Sequence, residues 1–267
     1  MDTKKLNLTI ARIRPKFIRP KVIVIKSLDQ YLSIIKKVKE EEEKKGNNND
    51  FIFRGQNCDL ELIPKISRLK PKGNIYELES LMINEFKRTS IPYLSLQPKD
   101  NWEWLSLAQH YGLPTRYLDW TYSALTALWF AVKDDISLNS NEEYENGCVY
   151  LLKPSTDDYN TWNNFNSPFE INVSVIYRPP LLDKRIIQQQ GVFTVHRLND
   201  SGIILNLDNN EKFVPKLIKF RINKKLYPII RKHLNYLGYS YSTQFPDLSG
   251  LSEHLRWRFF WYNDENT

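Results

Sequence analysis

Little in this chain could cross-link it, chelate a metal or carry it through a membrane. It has 2 cysteines (Cys58 and Cys148) and 4 histidines in 267 residues. Two cysteines make no disulfide framework, and with four scattered histidines they make no convincing zinc site, so no metal is expected. No uninterrupted apolar run reaches the roughly 18 residues of a transmembrane helix, which argues against a membrane role. The opening MDTKKLNLTIARIRPKF lacks the apolar middle of a secretory signal and points to the cytoplasm. Apolar residues make up 41% and charged residues 26%, which excludes disorder and suits a globule with a sizeable core. With 7 Trp, 15 Tyr and 13 Phe, most rings must fill that core.

Charge is unevenly placed. The formal net charge is +7. Residues 1–26 hold Lys4, Lys5, Arg12, Arg14, Lys16, Arg19, Lys21 and Lys26 against Asp2 alone, so the rest of the chain is balanced. We therefore read 1–26 as a basic N-terminal segment and 27–267 as a single domain. The segment is either an arm that meets the phosphates of a nucleic acid or a solvated edge strand guarded by lysines.

Periodicity sketches the elements. Val22–Ile25 reads as a strand, and Ser27 with Gln30 as the capping box of a helix carrying Tyr31, Ile34, Ile35 and Val38. Phe51–Phe53 reads as a strand that delivers Arg54 and Gly55 at its end. Leu78, Leu81, Met82 and Phe86 mark a second helix, and Trp104–Tyr111 a third, stopped by Gly112 and Pro114. Thr121 is a candidate cap for a fourth, with Leu125, Leu128, Trp129 and Val132 on its apolar face. Gly147–Leu152, Gly191–His196 and Lys216–Ile222 read as strands, and Leu226–Leu237 and Leu248–Leu255 as helices. Helices early and strands late predict an α+β fold.

Four segments carry polar groups that a plain core does not need. In Phe53-Arg54-Gly55, a guanidinium beside a residue without a side chain can meet a phosphate or carboxylate closely; the alternative is an Arg paired with a nearby acid. The stretch from Gln109 through His110, Tyr111 and Arg116 to Asp119, Trp120 and Thr121 is dense in hydrogen-bonding groups. There the alternative is a turn followed by a helix cap. In Arg185–Phe193, strand alternation would place Gln188 and Gln190 on one face, ready for a sugar hydroxyl or a base edge, or simply facing water. Thr243–Leu248 reads as a turn and a helix cap.

In this order the segments resemble the FRG domain family over roughly residues 30 to 257. The resemblance rests on Phe53-Arg54-Gly55, on Leu113-Pro114-Thr115-Arg116 followed by Leu118-Asp119-Trp120-Thr121 and Ala124–Ala131, on Gln189-Gln190-Gly191-Val192-Phe193, and on Phe245-Pro246-Asp247-Leu248. A more remote similarity is to ADP-ribosyltransferases. It implies two small packed sheets flanked by helices and NAD as the substrate. It also implies three strand-borne motifs: Arg54 to hold the dinucleotide, Thr121 with Asp119 to support the nicotinamide pocket, and Gln188 or Gln190 at the ribose. This chain has no carboxylate in the third motif.

Cleaving the nicotinamide–ribose bond builds an oxocarbenium-like centre that must be oriented and stabilised. On this resemblance Arg54 and Gly55 meet the pyrophosphate. Tyr111, Trp120 or Phe193 stacks on nicotinamide, Gln190 binds ribose hydroxyls, and His110 or Asp119 takes a proton from the acceptor. The expected function is an ADP-ribosyltransferase-like enzyme acting on a macromolecule, in a toxin or an antiviral defence effector by analogy of fold. The alternatives are a non-catalytic module sensing a nucleotide or a partner, and a nucleic-acid binder working through residues 1–26 alone.

Overall fold

Ser27 ends one element and starts the next. In the computed structural model, which describes residues 19–69, 72–134, 146–160, 165–180, 187–199 and 203–261, Lys21–Ile25 forms β1 and Leu28–Lys44 forms α1. Ser27 Oγ accepts from Gln30 N at 3.1 Å, and Gln30 Oε1 accepts from Lys26 N at 2.7 Å. The box therefore closes one residue earlier than its usual form.

There follow β2 (Ile52–Gln56), α2 (Lys65–Arg68), α3 (Ile75–Ser90), α4 (Asn101–His110), β3 (Tyr117–Thr121) and α5 (Ala124–Val132). Then come β4 (Asn146–Leu152), β5 (Val175–Tyr177), β6 (Gly191–Val195) and β7 (Leu217–Asn223). The helices α6 (Tyr227–Tyr236), α7 (Tyr241–Gln244) and α8 (Leu248–Arg256) end the series, with a π-helical turn over Trp257–Trp261. The fold is mixed α/β, with strands and helices interleaved rather than segregated.

The two small sheets expected from sequence are one seven-stranded sheet of order β1-β7-β4-β2-β3-β6-β5. β1 runs parallel to β7 and every other pairing is antiparallel. The physical reason is a single junction. β2 pairs with β4 over five residues and β3 with β6 over five, but β2 meets β3 only where Phe53 lies opposite Thr121. A four-stranded half and a three-stranded half thus share one seam. Because β1 is a strand of this sheet, residues 21–25 belong to the folded domain. The arm proper, with Lys4 to Lys16, lies outside the described residues.

One face of the larger half, including Phe53, Val149, Leu151 and Phe220, packs under α1, α5 and α6. α5 crosses β2 so closely that a Cβ on Gly55 would sit 1.8 Å from Ala127 O. The bare side of Gly55 therefore receives a helix backbone and not a ligand, which corrects the expectation for this residue. On the smaller half, Tyr117, Phe193 and Val195 pack against Trp102, Leu105 and Ala108 of α4. The opposite face, with Ile52, Trp120, Tyr150 and Val192, is covered by Leu62, Leu207 and Phe213.

Candidate functional site

Arg54 lies inside β2, not at its end, and so in the middle of the sheet. Alternation puts Ile52, Arg54 and Gln56 on the face opposite Phe53 and Gly55. Pairing with β3 stops at Phe53, and beyond that pair the guanidinium reaches across to β3. Its Nη1 donates to Asp119 O at 2.7 Å and stands 3.7 Å from Asp119 Oδ2, and its Nε donates to Gln56 Oε1 at 3.2 Å. The side chain is 17% exposed. Burial lowers its pKa, Asp119 opposes that, and the neighbouring Arg68 adds to it. A guanidinium still holds its charge under such pressure.

Further polar residues frame the seam. Arg68 Nη2 donates to the same Gln56 Oε1 at 3.4 Å and to Glu61 O at 3.0 Å. Lys65 Nζ donates to Gly112 O at 3.1 Å, tying α2 to the turn after α4. On the other side, Gln109 Nε2 donates to Asp119 Oδ2 at 3.0 Å, and Thr115 Oγ1 donates to Gln109 Oε1 at 2.9 Å. Thus α4 fixes a carboxylate that is itself 55% exposed. Sequence reading did not single out Gln56, Lys65, Arg68 or the role of Gln109. Gln56 was within reach, because it follows Arg54 by two on a strand and so shares its face. Arg68 and Lys65 had no signal, since only the tertiary path of α2 brings them here.

The other expected residues fall elsewhere. Thr121 ends β3; its Oγ1 donates to Gln189 O at 2.5 Å and accepts from Ser123 N at 3.0 Å. It does not cap α5, because Ser123 does, accepting from Thr126 N at 3.1 Å. Gln188 and Gln190 are not on one face of a strand. β6 starts at Gly191, Gln188 is in a helical turn, and Gln190 adopts a left-handed φ of 48°. Both are exposed. The residue between them makes the contacts: Gln189 Nε2 donates to Gln244 O at 3.0 Å, joining the third and fourth polar segments. Arg185 lies outside the described residues.

Two of the three proposed stacking rings are unavailable. Trp120 is 3% exposed, with Nε1 donating to Thr194 Oγ1 at 2.9 Å, and Phe193 is 4% exposed against Tyr117. Both are core: Trp120 packs with Leu62, Leu207 and Phe213, and Phe193 with Trp102, Leu105 and Ala108 of α4. Tyr111 is exposed, and its ring meets His110 edge-on at the end of α4.

Arg54, Asp119, Gln56 and Gln109 therefore converge, with His110 and Tyr111 on the neighbouring turn. Thr121 pairs opposite Phe53 and so, with Asp119, belongs to the face away from Arg54's; the guanidinium reaches across to Asp119, while Thr121 is engaged with Gln189 O and Ser123 N. Among the described residues no hydrogen bond joins Arg54 to Thr121 or Gln190. His196 is satisfied core: its ring lies 3.1 Å from Thr194 Oγ1 and 2.9 Å from Leu205 O. Burial pushes its pKa down to about 4, with the Leu205 carbonyl opposing and Arg54 assisting.

Among the described residues no His, Cys, Asp and Glu group could hold a metal ion, and no helix is long and apolar enough to cross a membrane. No curated protein and no solved structure matches the chain significantly. A family match covers residues 49–140, which include Arg54, Arg68, Gln109 and Asp119 but leave out the Gln188–Phe193 and Phe245–Leu248 segments. The part of the chain that builds the seam is thus the part that matches the FRG domain family.

Proposed function

We propose that the chain is an ADP-ribosyltransferase-like protein that holds NAD, or a related nucleotide, at the β2–β3 seam and transfers ADP-ribose to a macromolecular acceptor. One observation carries this reading. Arg54, mostly buried in mid-sheet, spends its hydrogen bonds on a main-chain carbonyl and a neutral amide, and its nearest carboxylate oxygen stays 3.7 Å away. Nε is thereby taken, but Nη2 and the second hydrogen of Nη1 are left as an end-on fork for a diphosphate, and Arg68 beside it adds a second charge.

The chemistry then runs as follows. The nicotinamide–ribose C–N bond breaks and its electron pair leaves with nicotinamide. The acceptor's nucleophilic atom bonds to the freed ribose carbon, and the acceptor's proton passes to Asp119, the exposed carboxylate that Gln109 holds in place. Arg54 neutralises the phosphates, and Tyr111 is the exposed ring at hand for stacking. Incubating the pure chain with labelled NAD and with protein, RNA or DNA should release nicotinamide and label one acceptor. Arg54→Ala should lower the rate about 10²-fold or more. No release with any acceptor from folded protein overturns the transfer step.

The second reading is a module that senses a nucleotide or a partner without turnover. It is favoured by the segment beside Thr121, which supplies glutamines and no acid. Calorimetry would then show NAD binding that depends on Arg54, with nicotinamide never released.

A further inference from the structure

Between β5, the last strand of the smaller half-sheet, and the start of α4 lies a cleft of about 710 Å³. That falls within the roughly 300–1,000 Å³ of small-molecule sites. Its two walls differ. On one, the Arg178 guanidinium stands 4.3 Å over the Tyr159 ring, and its Nε donates to the Tyr122 OH at 2.7 Å. The chain thus supplies that ring with its own cation.

The other wall has rings and acids but no cation on them. Tyr177 is half-buried there, its ring 5.1 Å from that of Trp102. Burial raises the pKa of the Tyr177 phenol, and Asp100 and Glu103 both raise it further, so the two carboxylates act on one hydroxyl. Each carboxylate has one oxygen committed to the helix start. Asp100 Oδ1 accepts from Glu103 N at 2.9 Å, and Glu103 Oε2 from Lys99 N at 2.8 Å. Glu103 is only 8% exposed, yet its Oε1 has no hydrogen-bond partner and is not sealed from solvent. Because the side chain lines the cleft, that oxygen opens into it. Among the described residues neither carboxylate has an ion pair; Lys99 also lines the cleft, but its ammonium pairs with neither. A charge so far removed from water is stabilised by a charged donor, and the chain brings none.

We infer that this wall binds an alkylammonium group, carried by a lysine side chain or by a free polyamine. Its N–H groups donate to Asp100 Oδ2 and Glu103 Oε1, and its methylene chain lies along the Tyr177 ring. A guanidinium fits less well. Its parallel fork matches two oxygens of one carboxylate, and here each carboxylate offers only one. The diverging donors of an ammonium suit two separate acceptors. Arg54 does not line this cleft, and the inference goes beyond the reading above.

The test is calorimetric titration of the full chain at neutral pH with spermidine and with the Nα-acetyl amides of lysine, arginine and norleucine. The lysine amide should saturate. It should bind about tenfold tighter than the norleucine amide, which has no charge, and than the arginine amide, which has the wrong fork. Glu103→Gln keeps an oxygen for Lys99 N, and Asp100→Asn keeps the helix cap. Each removes one charge and should weaken the lysine amide about tenfold, with the unfolding midpoint measured alongside. Arg54→Ala should leave the affinity unchanged, which separates this site from the seam. Spermidine binding more tightly than the lysine amide identifies a free polyamine as the source; equal or weaker binding identifies a lysine side chain. Equal binding of the lysine amide and either of the other two amides, no saturation by either ammonium compound, or a lysine-amide affinity that either folded variant leaves unaffected overturns the inference.

Discussion

Two of the arginines in the FRG-matching stretch that face acids, Arg116 and Arg54, do opposite things. Arg116 is 1% exposed. Its Nε donates to Glu79 Oε2 and its main-chain N to Glu79 Oε1, each at 2.7 Å, and Nη1 donates to Pro168 O at 3.1 Å. The Phe169 and Tyr76 rings lie 4.9 and 5.8 Å from the guanidinium. Burial pushes the Glu79 carboxyl up, and Arg116 pulls it back down. Both oxygens of Glu79 are spent on Arg116. Arg54 has no such closed pair: its acid is more than half exposed, stands off at 3.7 Å and is held by another residue. Arg116 closes the joint between α3 and the approach to β3. Arg54 is left able to bind.

The largest expected effect tests the closed pair. Arg116→Ala, or Glu79→Ala, leaves one buried charge uncompensated and should cost about 3–5 kcal/mol in urea unfolding. Arg54→Ala should cost about 1 kcal/mol. Equal losses would erase the distinction between builder and binder.

Acid gives the next effect. His196 has a folded pKa of about 4 against an ordinary 6.5. The unfolded chain takes up its proton first, so stability is full above pH 6.5 and falls as pH drops toward 4. The loss amounts to roughly 3 kcal/mol. Because Arg54 helps depress this pKa, Arg54→Ala should raise it and soften the acid loss. Arg116→Ala should leave it alone, as an NMR titration would show.

Gly55→Ala comes third. A Cβ there meets Ala127 O, so α5 must shift, at about 1–3 kcal/mol by thermal unfolding. The smallest effect on stability is expected from Arg54→Lys, which keeps the charge and loses the fork. Its unfolding should be unchanged, while nucleotide affinity falls about tenfold.

Local chemistry made much of the fold legible. Ser27 announces α1, and β-branched and aromatic runs mark β4, β6 and β7 to within a residue, while β2 runs on three residues past the expected Phe53. Where reading failed, tertiary context decided. Thr121 resembled a cap, but β3 extends through it and Ser123 caps instead. Gln188–Gln190 stood next to a strand, but the chain turns through a left-handed Gln190 before β6 begins. Trp120 and Phe193 looked like ligand rings, yet each is packed into a core cluster, one on either face of the sheet. The sheet seam left no mark at all, since a missing hydrogen-bond ladder depends on how two distant strands diverge.

The central claim is that Arg54 at this seam is a binding group rather than a structural one. Its most direct test is calorimetric titration of NAD into the unaltered chain and into Arg54→Ala, with the unfolding midpoint of each measured alongside. The account predicts saturable binding that disappears in the variant while the midpoint stays within a few degrees. Identical NAD binding by both proteins, or a variant that loses its fold as Arg116→Ala is expected to, would contradict it.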